Sequence, residues 1–73
     1  MNERKFSLEG KEYIELMKLL KYEGLAESGA DAKMLIDAGE VLVNGEPELR
    51  RRRKLRPGDK VQFAGVEISI TDE

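Results

Sequence analysis

The hydrophobic period of this chain changes from helical to two between Gly39 and Val41, and that change limits the folds open to it. From Glu12 to Glu23 the apolar residues Tyr13, Leu16, Met17 and Leu20 recur at spacings of three and four. Ile14 and Leu19 widen the same face, so the spacing predicts a helix over 12–23. Glu15, Lys18, Lys21 and Tyr22 fall on its opposite side, and Gly24 is placed to cap its C-terminus. A second helix starts at Ser28, whose side chain can accept from the amide of Asp31. Ala32, Leu35 and Ile36 make its narrow buried face, and Gly39 ends it. The short link 24–27 forces the two helices to cross closely, which the small Ala32 permits.

Beyond Gly39 the period is two. Val41 and Val43 point one way and Leu42 the other, a brief strand. Asn44-Gly45 suits a type I′ hairpin turn, because both residues tolerate positive φ. Pro47 follows at once and cannot donate to a ladder, so the return strand belongs at an edge. Arg56-Pro57-Gly58-Asp59 spells a type II turn. Val61 and Phe63 alternate, Ala64-Gly65 turns the chain, and Val66, Ile68 and Ile70 alternate in a last strand. Upstream, Lys5 to Leu8 is a candidate short strand closed by Glu9-Gly10, and the tail 71–73 is expected to fray. The architecture predicted is a single α+β domain over residues 1–73, a helical hairpin followed by a small, mostly antiparallel sheet.

Charge narrows the function. The chain has 73 residues and a formal net charge of −2, yet the charge is segregated. Residues 1–48 carry a net −5, residues 49–60 a net +6, and residues 61–73 a net −3. Binding responds to the field within about a Debye length, ~8–10 Å, rather than to the molecular sum. Arg50, Arg51, Arg52, Arg53 and Lys54 are consecutive, with no acid before Arg56. A run of charges is ordinarily a solvated face. Five like charges in a row repel one another, and a polyanion would relieve that repulsion and release counterions. If the run is extended, Arg50, Arg52 and Lys54 form one row and Arg51 and Arg53 another. An exposed run also predicts that replacing Arg50 to Arg53 by Ala leaves the fold intact.

Other classes are disfavoured. There is no Cys and no His, so no thiolate metal site and no imidazole base is available. The fifteen carboxylates stand in no catalytic motif, so the chain is not expected to be an enzyme, and neither a cofactor nor a small-molecule substrate is expected. No apolar run approaches the ~20 residues of a membrane span, which predicts a cytoplasmic protein that is monomeric and does not bind membranes. No helix carries the row of polar and basic residues suited to a DNA major groove. Four aromatics are too few for a broad stacking platform for single strands.

The order of signals resembles the RNA-binding domain named after ribosomal protein S4, in its short stand-alone bacterial form. The matching residues are Leu16, Leu19 and Leu20, then Gly24-Leu25-Ala26-Glu27-Ser28, then Ala32-Lys33, Ile36 and Gly39. Val41, Val43-Asn44-Gly45 and Pro57-Gly58-Asp59 complete them, so the likeness runs from about residue 14 to 63. Two positions depart from the pattern: Gly29 stands where the family often has Arg, and Glu15 where it often has a base. The resemblance implies an αL-type RNA-binding motif whose partner is structured RNA, ribosomal or transfer RNA, or a ribosomal particle. The candidate RNA-binding residues are Arg50 to Lys54, Lys33, Ser28 and Gly29 at the start of the second helix, and Asn44 and Gly45 at the turn. Lys18 and Lys21 are weaker candidates, exposed cations on the first helix. Tyr13 reads as core, leaving Tyr22 as the loose aromatic. A different reading makes the basic loop a docking site for an acidic protein.

Overall fold

The computed structural model describes residues 2–72. In chain order the elements are β1 (Asn2–Ser7), β2 (Ile14–Glu15), α1 (Leu16–Tyr22), α2 (Gly29–Asp37), β3 (Leu42–Val43), β4 (Glu46–Pro47), β5 (Lys54–Leu55), β6 (Lys60–Phe63) and β7 (Val66–Thr71). The five-stranded sheet has the order β1-β7-β6-β3-β4. Its pairs are antiparallel except β1 with β7, which run parallel. A separate two-stranded ladder joins β2 to β5. The fold is α+β, as the change of period requires.

The apolar faces read from the sequence meet in one core. Leu16, Leu19 and Leu20 of α1 and Ala32 and Ile36 of α2 are buried against Val41, Val43, Leu55, Val61, Ile68 and Ile70. The turns fall where their residue types require. Asn44 and Gly45 have φ of 54° and 87°, the left-handed pair of a type I′ turn. Asn44 is held from both sides: its Nδ2 donates to Asp59 Oδ1 at 3.0 Å and its Oδ1 accepts from the Lys60 amide at 3.0 Å. Asp59 belongs to the Pro57-Gly58 turn, so this one side chain ties the two turns together. Pro47 lies on the edge strand, where its missing donor costs no ladder bond.

Three expectations are corrected. The first helix does not run from Glu12; it begins at Leu16, because Ile14 and Glu15 pair with Leu55 and Lys54. That long-range ladder outcompetes the helical periodicity and turns Tyr13 outward, where it is 37% exposed instead of forming core. The first strand is six residues rather than four, drawn out by six parallel register pairs with β7. Thr71 is not frayed: it ends β7, and its carbonyl accepts from the Leu8 amide at 2.8 Å. Glu73 of the expected frayed tail lies outside the described residues.

Candidate nucleic-acid interface

Arg50 to Arg53 form a turn, and only Lys54 of the basic run belongs to a strand. The Arg53 amide donates to the Arg50 carbonyl at 3.2 Å, so the two alternating rows expected of an extended segment do not form. The reason lies in α1. A helix leaves its first amides without internal partners, and Glu15 at the N-cap supplies no side-chain bond. The carbonyls of Arg53 and Arg51 take that place, accepting from the amides of Leu16 at 2.9 Å and Met17 at 3.0 Å. The loop is thus the backbone cap of the first helix. Its carbonyls face the helix, and its guanidinium groups are left to point elsewhere.

Three of those guanidinium groups are already occupied. Glu48 is the one buried charged residue among the described residues, 8% exposed. Arg50 grips it bidentately, Nε to Oε2 and Nη2 to Oε1, each at 3.0 Å, and Arg53 Nη1 donates to Oε1 at 2.7 Å. The Arg50 hydrogen bonds outweigh the burial that pushes the other way and, with those from Arg53, hold the Glu48 carboxyl down at about 2. Arg51 makes a second fork, Nε and Nη2 to the two oxygens of Asp37 at 3.1 and 2.9 Å, tying the loop to the last residue of α2. Its hydrogen bonds lower the Asp37 carboxyl as well. The expectation that these cations only repel one another is therefore corrected: Glu48, two residues before the run, and Asp37, at the end of α2, neutralise three of its members. The expectation that Arg50 to Arg53 can become Ala without harm to the fold is revised for the same reason. Such a variant leaves a buried carboxylate without its donors.

Arg52, Lys54, Arg56 and Lys33 have no carboxylate within 4.0 Å among the described residues. These four share one open groove between α2 and the loop, with Gly29 and Ala30 along one side and Met17 and Leu49 beside the arginines. Lys54 and Arg56 also approach the Tyr13 ring, Nζ at 5.0 Å and Cζ at 5.7 Å from its centroid. Leu49 is exposed at the groove.

Of the residues singled out from the sequence, Gly29, Lys33 and Arg50 to Lys54 converge on this groove. Ser28 is committed to its helix, its Oγ accepting from the Asp31 amide at 3.1 Å. The Asp31 carboxylate accepts from the Glu27 amide at 3.0 Å and places a negative charge at that helix start. Asn44 and Gly45 lie outside the groove, although Asp59, which Asn44 holds, lines it. Lys18 borders a different groove, near Tyr13 and Tyr22, and its Nζ is 3.9 Å from Glu15. Lys21 sits in the last turn of α1, and neither groove includes it. Arg56 was not among the residues singled out, and Tyr13 was assigned to the core; both stand at this groove or its edge. Arg56 lies two residues past Lys54 along one strand direction, so a shared side was legible once β5 was known.

A helix pair, a hairpin and a basic turn packed on one small sheet define the class: residues 6–71 match the S4 domain, and the chain belongs to that family. Among its relatives is the "Putative RNA-binding protein YbcJ" of Escherichia coli (strain K12), 46% identical over 65 residues, which span 89% of this chain and 93% of that one. Another is the "Probable ribosome maturation protein RlbA" of Bacillus subtilis (strain 168), 46% identical over 54 residues, 74% of this chain and 76% of that one. The solution structure of E. coli YbcJ, reported as revealing an αL motif involved in RNA binding, matches with a TM-score of 0.69 at 45% identity. That match covers 92% of this chain and 85% of the other.

Proposed function

We propose that this protein is a non-catalytic, monomeric, single-domain RNA-binding protein of the cytoplasm that holds structured RNA in the groove between α2 and the basic turn. The observation that carries the reading is the division of the cations. Arg50, Arg51 and Arg53 build the turn, while Arg52, Lys54, Arg56 and Lys33 line the groove with no carboxylate within 4.0 Å among the described residues. The groove gathers seven cations against the two carboxylates of Asp37 and Asp59 in a chain of net charge −2, and the mutual repulsion of the four cations without an ion pair is relieved by an anionic ligand. A rigid turn held by backbone bonds presents them as a fixed pattern, which suits phosphate and shape recognition over base-by-base reading. The names of YbcJ and RlbA support RNA as the partner, and that of RlbA favours ribosomal RNA or a ribosomal particle.

The test is binding of a hairpin RNA at 50 and 200 mM salt. With about four phosphates neutralised and a slope of roughly −0.7 to −0.9 for each, affinity should fall roughly 50- to 150-fold. Replacing Lys33, Arg52 and Lys54 by Ala should weaken binding and flatten that dependence while leaving thermal unfolding unchanged. Absence of hairpin binding at 50 mM salt refutes the proposal and turns attention to an acidic protein partner.

A further inference from the structure

The ladder of β2 and β5 gives the groove an extension that phosphate binding alone does not use. Ile14 and Leu55 face each other across this ladder toward the core. Side chains alternate along a strand, so Tyr13, Glu15, Lys54 and Arg56 fall on the outer side, where Glu15 stands opposite Lys54 in register and its carboxylate is 3.9 Å from the Lys18 ammonium. There Tyr13 is 37% exposed, with the Lys54 ammonium 5.0 Å and the Arg56 guanidinium 5.7 Å from its ring centroid. A carboxylate in that position would neutralise both cations; an aromatic ring holds them in place and leaves their charge available. Both cations also line the groove beside α2, and Tyr13 itself borders the neighbouring groove that runs past Lys18 and Tyr22. Tyr13 is therefore the junction of the two.

From this we infer that Tyr13, with Lys54 and Arg56, is a subsite for one unpaired nucleotide next to the paired RNA. A nucleotide couples a flat base to an anion a few ångströms away, and this cluster is its complement, a part-exposed ring with two cations over it, neither of them within 4.0 Å of a carboxylate among the described residues. The base stacks on the part of the Tyr13 ring that the two cations leave uncovered, while the cations take the flanking phosphates. One ring accommodates one base. The subsite thus distinguishes a hairpin carrying a single-stranded extension from a blunt one, and the inference rests on the RNA-binding reading given above.

The experiment compares three hairpins at one salt concentration: blunt, with a four-nucleotide single-stranded tail, and with a tail of the same length lacking bases. The native protein should bind the tailed hairpin about tenfold more tightly than the abasic one, the value of one base–aromatic stack. Tyr13→Leu should abolish that preference, bringing the tailed hairpin to the affinity of the abasic one, whereas Tyr13→Phe should keep it. In a Tyr22→Phe background Tyr13 is the only tyrosine, and its fluorescence should be quenched by the tailed hairpin and not by the abasic one. Equal binding of the tailed and abasic hairpins overturns the subsite while the blunt hairpin still binds. Tyr13→Leu weakening all three alike reduces Tyr13 to a support for its cations. Failure of even the blunt hairpin to bind the native protein refutes both readings.

Discussion

Glu48→Gln tests whether the basic turn is held together by the acid beneath it. In the folded protein the Glu48 carboxyl lies at about 2 against an ordinary 4.5, held there first by the Arg50 guanidinium and then by Arg53. Converted in full, that depression corresponds to about 3 kcal/mol. The Arg50 side chain is 71% exposed, and screening by water reduces the figure to about 1–2 kcal/mol. Because the folded-state value is depressed, the contribution is complete above the unfolded value of 4.5 and is lost as pH falls from there toward about 2. Glu48→Gln should therefore cost about 1–2 kcal/mol at pH 7, a drop in Tm of about 4–8 °C for each kcal/mol in a domain of this size. Urea unfolding of both proteins at pH 7, 5, 4 and 3 is the assay. The native protein's advantage should shrink to less than half of its pH 7 value by pH 3. A gap that stays constant across that range, or a Gln variant as stable as the native protein at pH 7, would show that the fork of Arg50 and Arg53 on Glu48 does not stabilise the turn.

Gly29 lines the groove at the first position of α2, and a Cβ built there meets nothing within 4 Å. Gly29→Arg should fold normally, tighten hairpin binding several-fold and steepen the salt dependence by about one phosphate's worth; a filter-binding titration with no gain would place the RNA away from α2. Gly45 has φ of 87° with open space around it, so Gly45→Val acts through the backbone alone. It should cost about 1–3 kcal/mol by urea unfolding, and an unchanged midpoint would contradict the type I′ turn. Asn44→Ala removes the two bonds to Asp59 and Lys60 and should cost about 1–2 kcal/mol. Its amide exchange should quicken at both turns together, and protection lost at the 44–45 turn alone would show that they are not coupled.

Much of this protein is determined by local chemistry and was legible in the chain itself. The stop at Gly24 (φ 74°), the Ser28 cap, the Asn44-Gly45 turn and the Pro57-Gly58 turn each rest on a residue's own backbone preference or on a bond to a near neighbour. The alternation of Val66, Ile68 and Ile70 needs only the period of a strand, and the segregation of charge needs only counting. What the tertiary structure decided are the matters settled by partners distant in sequence. Helical periodicity at Tyr13 and Ile14 was overridden because Leu55, forty-one residues beyond Ile14, offered a ladder. The conformation of the basic run was set by the unpaired amides of α1, which only a packed helix presents to it. Which of its cations are free depended on Glu48 and Asp37. The grip of Arg50 on Glu48 is local, two residues apart, but the reach of Glu48 to Arg53 and of Asp37 to Arg51 spans five and fourteen positions and follows no local periodicity. A sequence displays where positive charge is concentrated; only the packed chain shows which of those charges it has already neutralised.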